Sequence, residues 1–280
     1  MDRWVGSLSR REGTVCAGES VAARPDPRLA AYVFGYAGAR FPDAGPSVRR
    51  IAPIDGIKVI LDFENLDRRM LTTGGRGRRE PSSPVVGLQS GPLVFEQSGI
   101  DHGMVIGLTP LGAHALFGMP LKELPAYAGI TELLGTHAAH LVEQLAETPG
   151  WAARFALLDR WLSARLHPGA RLATPVQATW DLLSTTHGRP AIAAVADQVG
   201  WSRSHLEARF HAQIGIPPKT FARIVRFHHA LRLLARHRPP SRSDIAALCG
   251  YADQSHFNRE FRALTGCAPT RFLALASQET

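Results

Sequence analysis

The sequence is poor in cysteine. It has only three in 280 residues, Cys16, Cys249 and Cys267, an odd number at wide spacings. Zinc knuckles and disulfide frameworks need paired or clustered thiols, so these spacings predict neither. We therefore expect a protein of a reducing compartment, and we predict no metal site and no cofactor.

Long hydrophobic runs are also lacking. The longest stretch without a charged residue, 103–121, contains two prolines and several glycines. That composition predicts buried strand and turn rather than a membrane span. Charged residues interrupt residues 1–12, so no apolar signal region is expected there. Together these absences predict a cytoplasmic protein without a membrane partner.

Positive charge is concentrated in the C-terminal part. The formal net charge is +8; residues 171–280 contain 14 Lys or Arg and 7 Asp or Glu, against 18 and 17 in residues 1–170. A basic segment beside a neutral one is typical of a nucleic-acid-binding domain. The length suits two domains, and we place their boundary at residue 170, where the sequence His167-Pro168-Gly169 interrupts the pattern.

The predicted N-terminal domain, 1–170, is β-rich to about residue 125. Ile57, Val59 and Leu61 alternate along one run, the period of a half-buried strand. The segment 74–79 is basic and glycine-rich, and we expect a flexible loop there. From 126 to 168 the apolar spacing becomes helical, which predicts a hairpin of two helices at about 131–147 and 150–166. This hairpin either packs on the strands or forms a dimer interface.

The last 90 residues contain an internal repeat. Val195-Ala196 corresponds to Ile245-Ala246, and Gly200-Trp201 to Gly250-Tyr251, with an offset of 50 residues. After one added residue the correspondence continues at an offset of 51 through five pairs: Leu206 and Phe257, Phe210 and Phe261, Gly215 and Gly266, Pro218 and Pro269, Phe221 and Phe272. Each copy predicts a helix-turn-helix motif, at 192–214 and 244–265.

Capping residues support these helices. Ser202 and Asp253 precede the second helix of each copy, and Asp244 is the predicted cap of the helix that ends at Gly250. Thr174 is the predicted cap of a helix that precedes the repeat. Between the copies, residues 218–238 predict one basic helix that would hold the two motifs at a fixed separation.

The outward face of each second helix is polar. In such motifs the second helix enters the major groove, where Asn and Gln can pair with adenine, Arg with guanine, and Glu can accept from cytosine. The candidate DNA-contacting residues are Arg203, Ser204, Glu207 and Ala208 in the first copy, and Gln254, Ser255, Asn258, Arg259 and Arg262 in the second. The second copy is the better equipped for base recognition.

Residues 250–262, GYADQSHFNREFR, followed by Gly266 and Pro269, closely resemble the signature of the AraC/XylS family of transcriptional regulators. The resemblance covers about 175–276. It implies a seven-helix DNA-binding unit. It also implies that the candidates of both copies, except Arg203 and Arg262, occupy base-facing positions. The sequence departs from the family pattern at Cys267-Ala268, where an apolar residue and then a hydroxyl residue are usual, and at Leu273, where an arginine is common.

The segment 107–120 resembles the β-rich sensor domain that is joined to many such regulators, which implies effector binding or dimerisation. We therefore expect an α+β chain with an N-terminal effector or dimerisation domain and an all-α DNA-binding domain, 171–280. The predicted function is transcriptional regulation, not enzymatic. Double-stranded DNA is the predicted partner; RNA polymerase, a small-molecule effector and a second copy are further candidates.

Two alternatives remain open. One is a DNA-repair or other enzyme fused to a helix-turn-helix unit, which would need an activated cysteine or a zinc-thiolate set. Cys16 is the one cysteine of residues 1–170. The other is a regulator whose N-terminal domain only dimerises. His137 and His140 are spaced as a metal pair would be, but no third ligand is evident nearby.

Overall fold

The computed structural model describes residues 9–12, 18–41, 46–72, 75–125, 127–166 and 172–277. The predicted boundary residues 167–170 and Cys16 lie outside the described residues. Two antiparallel sheets occupy the N-terminal part, with strand orders β1-β4-β9-β6-β7 and β11-β8-β5-β10-β3-β2. The strands are β1 (Ser9–Glu12), β2 (Glu19–Ala23), β3 (Val33–Phe41), β4 (Ser47–Ile51), β5 (Ile57–Asp62), β6 (Asp67–Thr72), β7 (Gly75–Arg79), β8 (Pro84–Val86), β9 (Leu93–Ser98), β10 (Asp101–Leu108) and β11 (Tyr127–Gly129).

Helices follow and dominate the rest of the chain. They are α1 (Pro110–Phe117), α2 (Ile130–Leu134), α3 (Thr136–Glu147), α4 (Trp151–Arg165), α5 (Thr174–Thr185), α6 (Ile192–Gln198), α7 (Arg203–Ile214), α8 (Pro218–Leu234), α9 (Arg242–Leu248), α10 (Gln254–Thr265) and α11 (Pro269–Ser277). The predicted α+β class, β-rich first and all-α last, is confirmed. None of the described helices is both long and apolar enough to cross a membrane.

Two predictions for the N-terminal part were wrong. Residues 75–79 of the expected flexible loop form the edge strand β7, which pairs with β6. The stretch 103–121, expected as strand and turn, is strand as far as Leu108, the end of β10, but then forms helix α1. The Thr109 hydroxyl accepts a hydrogen bond from the Gly112 amide at its start, and Gly118, at φ 68°, ends it. A threonine cap followed by proline is a helix-start signal that outweighed the two prolines of the segment.

The helical hairpin packs on the strands, which was the first of the two alternatives that the sequence left open. Its buried residues Leu141, Leu158 and Leu162 join the core formed by the strands. The Tyr36 hydroxyl of β3 donates to Asp159 Oδ1 of α4 at 2.8 Å. The first predicted helix is in fact two, α2 and α3, because Gly135 at φ 64° breaks it.

Arg154 holds the two helices of the hairpin together. Its Nε donates to the carbonyl oxygens of Leu145 and Thr148, both at 2.9 Å. Such carbonyls at a helix C-terminus lack intrahelical partners, so the guanidinium caps α3. The same group lies between the rings of Phe63 and Trp151, at 4.9 and 4.7 Å. The hairpin is therefore fixed to the strands through one buried cation.

The C-terminal helices enclose a core of aromatic side chains. Trp180 of α5 stacks on Phe221 of α8 at 3.9 Å, and Phe227 packs edge-on against Phe261 at 5.2 Å. Three boundaries differ from the sequence prediction. α8 ends at Leu234 rather than near 238, α5 begins at Thr174 with Ala173 as its cap, and Ser241, not Asp244, caps α9. The Ser241 hydroxyl accepts from the Asp244 amide, so Asp244 lies inside the first turn.

Candidate nucleic-acid interface

The first helix-turn-helix consists of α6, a turn at 199–202, and α7. Gly200, at φ 74°, turns the chain after α6, and the Ser202 hydroxyl accepts from the His205 amide at the start of α7. Leu206 and Phe210 are fully buried, as predicted. Because they fix one face of α7 to the core, the opposite face points away from the protein.

The candidates on that face are accessible. Arg203, Ser204 and Ala208 are exposed, and Glu207 is partly exposed. Arg203 Nε donates to Glu207 Oε1 at 2.9 Å, one helical turn away. An exposed pair of this kind contributes little to stability, so DNA can break it without a large penalty. Ala208 offers a methyl group rather than a hydrogen bond.

The second helix-turn-helix consists of α9, a turn at Gly250, and α10. The Asp253 carboxylate accepts from the His256 amide at 2.6 Å, which confirms the predicted cap. His256 in turn accepts from the Ala252 amide and packs edge-on against buried Tyr251 at 5.5 Å. His205 packs in the same way against Trp201. Both histidines therefore pack against the aromatic residue of their own turn.

The outward face of α10 is more polar than that of α7. Gln254, Ser255, Arg259 and Arg262 are exposed, and Phe257 and Phe261 are fully buried on the opposite face. Asn258 is half-buried, and its Oδ1 has no hydrogen-bond partner among the described residues. A buried acceptor left unpaired costs about 1–3 kcal/mol. Among the described residues, the Asn258 amide oxygen therefore retains the capacity to accept a hydrogen bond.

Two arginines of α8 orient the second motif, a role that the sequence analysis missed. Arg223 Nε donates to Glu260 Oε2 of α10 at 2.5 Å. Arg226 donates to the Gly188 carbonyl oxygen at 2.9 Å, and its guanidinium lies 5.5 Å from the Tyr251 ring centre. The sequence showed only that this helix is basic. Their positions at i and i+3, beside buried Phe227, are the signal that could have indicated inward contacts.

The other candidates have structural roles. Cys249 and Cys267 are buried, and burial raises the pKa of the Cys249 thiol to about 11, which keeps it protonated and unreactive. His137 and His140 are exposed. Within the part of the chain that the structure describes, no three His, Cys, Asp or Glu residues are placed to hold a metal ion.

Comparison with known proteins identifies the C-terminal fold unit. Residues 195–274 match a family model described as a helix-turn-helix domain. The arabinose operon regulatory protein of Salmonella typhimurium is 31% identical over 161 residues, 57% of this chain and 52% of that protein. The activator RhaS of Escherichia coli is 39% identical over 69 residues, 25% of this chain and 24% of that protein.

The C-terminal part of the chain is therefore similar to the helix-turn-helix domain of these regulators. A third relative, LumQ of Photobacterium leiognathi, named as a transcriptional regulator, is 34% identical over 82 residues, 29% of this chain and 33% of that protein. The chain thus spans from about a quarter to about half of the length of these relatives.

Two solved structures are also similar to this chain. A regulator from Chromobacterium violaceum, described as containing an AraC-type DNA-binding domain, aligns with 38% of this chain and 95% of its own, at 24% identity and a TM-score of 0.35. ToxT from Vibrio cholerae aligns with 95% of this chain and 96% of its own, at 11% identity and a TM-score of 0.48.

Proposed function

We propose that this protein is a sequence-specific DNA-binding transcriptional regulator, and that α7 and α10 are its recognition helices, each in one of two adjacent major grooves. The observation that carries the proposal is the repetition of one arrangement. In both motifs a side-chain cap, Ser202 or Asp253, starts the second helix. In both, two fully buried residues fix its inner face. What remains outside is a polar face at the position where such motifs contact bases.

The two recognition helices differ in what they can contribute. Arg259 is exposed and forms no ion pair within the described residues, so its guanidinium is available for a two-pronged contact with guanine. Arg203 and Glu207 instead neutralise each other on α7. We therefore assign most base discrimination to α10 and propose that α7 relies more on shape and on methyl contacts through Ala208.

The spacing of the two helices follows from α8. This helix of 17 residues joins the motifs, and its side chains contact both. The Phe221 ring lies 6.0 Å from the Phe210 ring of α7, centre to centre, and Arg223 donates to Glu260 of α10. A rigid connection of this kind suits two grooves on one face of the duplex, which are about 34 Å apart.

We further propose that the N-terminal part modulates DNA binding. The loop between β4 and β5 inserts Ala52 and Ile54 into the core of the DNA-binding helices, where they are 1% and 4% exposed. The His228 imidazole of α8 donates from Nε2 to the Pro53 carbonyl oxygen at 2.9 Å. The connection between the two motifs is therefore fixed to the sensor-like part.

The N-terminal part also touches the end of each recognition helix. A methyl group at Gly215, which ends α7, would lie 3.1 Å from the Leu121 carbonyl oxygen. One at Gly266, which ends α10, would lie 3.2 Å from an Arg50 guanidinium nitrogen. Because packed interfaces transmit small displacements, an effector that shifts the strands would change the relative position of the two helices.

The remaining partners and the location follow from the family. RNA polymerase contact, a small-molecule effector and a homodimer belong to this proposal, as does a cytoplasmic location. The enzyme alternative has the weaker support, since the relatives named above are regulators. A dimer would double the number of base-pair blocks in the bound DNA motif, so selection from random duplex DNA would detect it.

Selection from random duplex DNA tests the function. The full chain is incubated with the pool at low and at moderate salt, and bound duplexes are sequenced. We expect one motif with two blocks about one helical turn apart, and affinity that falls steeply with salt because phosphate contacts release counterions. Recovery of unenriched sequence at both salt concentrations would contradict the proposal.

A further inference from the structure

A cluster of basic side chains lies between the two helix-turn-helix motifs. His187 and Arg189 belong to the turn that joins α5 to α6, and His229 and Arg232 belong to α8, with Arg236 just beyond its end. We name these five residues the basic seam. It is separate from the outward faces of α7 and α10, and no part of the base-recognition proposal uses it.

Direct contacts hold the basic seam together. The rings of His187 and His229 lie 4.0 Å apart, centre to centre, at a 39° tilt. An Arg232 guanidinium nitrogen lies 3.3 Å from His187 Nδ1. His187 adopts φ 57°, a left-handed conformation that non-glycine residues rarely take. Such a conformation carries a cost that the surrounding structure must offset.

The basic seam adjoins the second motif as well as the first. The Arg189 side chain lies 3.8 Å from the position that a methyl group on Gly250 would occupy, in the turn between α9 and α10. Arg189 also stands three residues before Ile192, where α6 begins. The first helix of such a motif crosses the DNA backbone. If α6 crosses the DNA backbone in this way, Arg189 would lie beside the same backbone.

His229 lies in partly buried, positively charged surroundings. Its Nδ1 is buried and has no hydrogen-bond partner among the described residues. Burial, and then the positive charges of His187, Arg232, Arg189 and Arg236, lower the pKa of His229 to about 4. The imidazole is therefore neutral at pH 7 in the free protein. An anion placed among these side chains would offset their mutual repulsion and favour its protonated form.

We propose that the basic seam binds a DNA backbone phosphate between the two major-groove segments, and that His229 takes up one proton from solvent when it does so. Arg232 and Arg189 supply charged donors, and the imidazolium supplies another. The alternative is an ordinary packed histidine pair with no role in binding. This inference rests on the proposed DNA binding but not on base recognition, because every sequence presents the same phosphates.

The test uses a duplex of arbitrary sequence at low salt and fluorescence anisotropy of the full chain. The variants are Arg232→Gln, His229→Gln and Arg189→Gln. The matched control is Arg160→Gln, because the Arg160 side chain is exposed on the outer face of α4. We expect the slope of log affinity against log salt to fall by about 0.9 for a lost phosphate contact in Arg232→Gln or Arg189→Gln. The control should keep the wild-type slope.

Proton uptake gives a second readout. Wild-type affinity should rise as pH falls from about 7 to about 5, towards the lowered pKa of His229, because the complex binds up to one proton more than the free protein. His229→Gln should lose that excess pH dependence. Arg189 is exposed, so its variant is informative even where the others fold poorly.

Retention of the wild-type salt slope by both arginine variants, with unchanged pH dependence in His229→Gln, would overturn the inference. The proposed function fails differently. If selection yields no preferred sequence while the seam variants still lower the salt slope on arbitrary duplexes, phosphate binding at the seam stands and base recognition does not.

Discussion

His228 Nε2 donates a hydrogen bond to the carbonyl oxygen of Pro53, 175 positions earlier in the chain, at a distance of 2.9 Å. His228 is only 5% exposed, and Asp55 Oδ1 lies 3.8 Å from its Nδ1. The Pro53 carbonyl is buried and therefore needs a hydrogen-bond partner, so this bond fixes the loop between β4 and β5 against α8. It joins the sensor-like strands to the helix that spaces the recognition helices.

Substitution of His228 by Ala should weaken this connection. The Pro53 carbonyl would then be buried without a partner, at a cost of about 1–3 kcal/mol in the free energy of unfolding. Chemical denaturation measures that loss, and DNA affinity should change with it because α8 sets the helix spacing. His137→Ala, on the exposed face of α3, is the control. Equal stability of the two variants would show that the bond contributes nothing.

Truncation of Ile54 tests the same contact through packing. Ile54 is 4% exposed within the core of the DNA-binding helices. Ile54→Ala should cost about 2–5 kcal/mol, since it removes buried methyl groups and leaves a cavity. Ile54→Val, which keeps most of the volume, should cost about 0.5–1.5 kcal/mol. If both variants unfold like the wild type, the loop does not pack there in solution.

The buried pair of Arg68 and Asp62 should be essential to the N-terminal strands. Their side chains are 7% and 5% exposed and form two short hydrogen bonds, while Asp62 also accepts from the Ser83 amide at 2.8 Å. Arg68→Met leaves a buried carboxylate unpaired, at a cost of about 3–5 kcal/mol. The neighbouring Arg69→Met, whose ion pair with Asp67 is exposed, should lie within about 1 kcal/mol of the wild type. Similar melting of the two variants would be inconsistent with a buried ion pair.

The N-cap of α10 can be tested by removing its hydrogen-bond acceptor and then restoring it with a conservative variant. Asp253→Ala removes the acceptor of the His256 amide and should cost about 0.5–2 kcal/mol. Asp253→Asn keeps an acceptor of the same shape and should recover most of that loss. Thermal unfolding of the wild type and the two variants measures both effects. If Asp253→Asn is no more stable than Asp253→Ala, charge rather than the hydrogen bond stabilises the helix start.

Local signals explain why the C-terminal part was predictable. Ser202, Asp253 and the glycines that end α7 and α10 act within a few residues of the chain, so the sequence shows them directly. The predicted cap of α9 was wrong by three residues. Ser241 and Asp244 are both good N-cap residues, and which of them caps the helix depends on where its first turn begins. The contacts of Arg223 and Arg226 could not be predicted, because their partners belong to other elements of the fold. From the sequence they contribute only to the positive charge of α8.

The N-terminal part was less predictable because its structure depends on distant partners. Residues 75–79 have low strand propensity, and only pairing with β6 makes them a strand. The hairpin had two alternatives because an apolar stripe does not indicate what covers it. No local sequence pattern indicates the contact of Pro53 with His228, because the two residues lie 175 positions apart in the chain.

Arg259→Ala separates base contact from phosphate contact on α10. If Arg259 contacts one guanine, the variant should lose about 1–3 kcal/mol on the preferred site and relax the preference at one base pair. Anisotropy on the preferred site and on all single-base variants of it measures both effects. Arg160→Gln serves again as the control. Equal loss on every duplex would instead assign Arg259 to the backbone.

The central claim is that two recognition helices occupy adjacent major grooves of one duplex. Hydroxyl-radical footprinting of the full chain on its selected site measures this directly. We predict two protected stretches on one face of the DNA, about 34 Å apart, with the stretch opposite α10 lost selectively in Arg259→Ala. A single protected stretch, or two that respond equally to that substitution, would contradict the account.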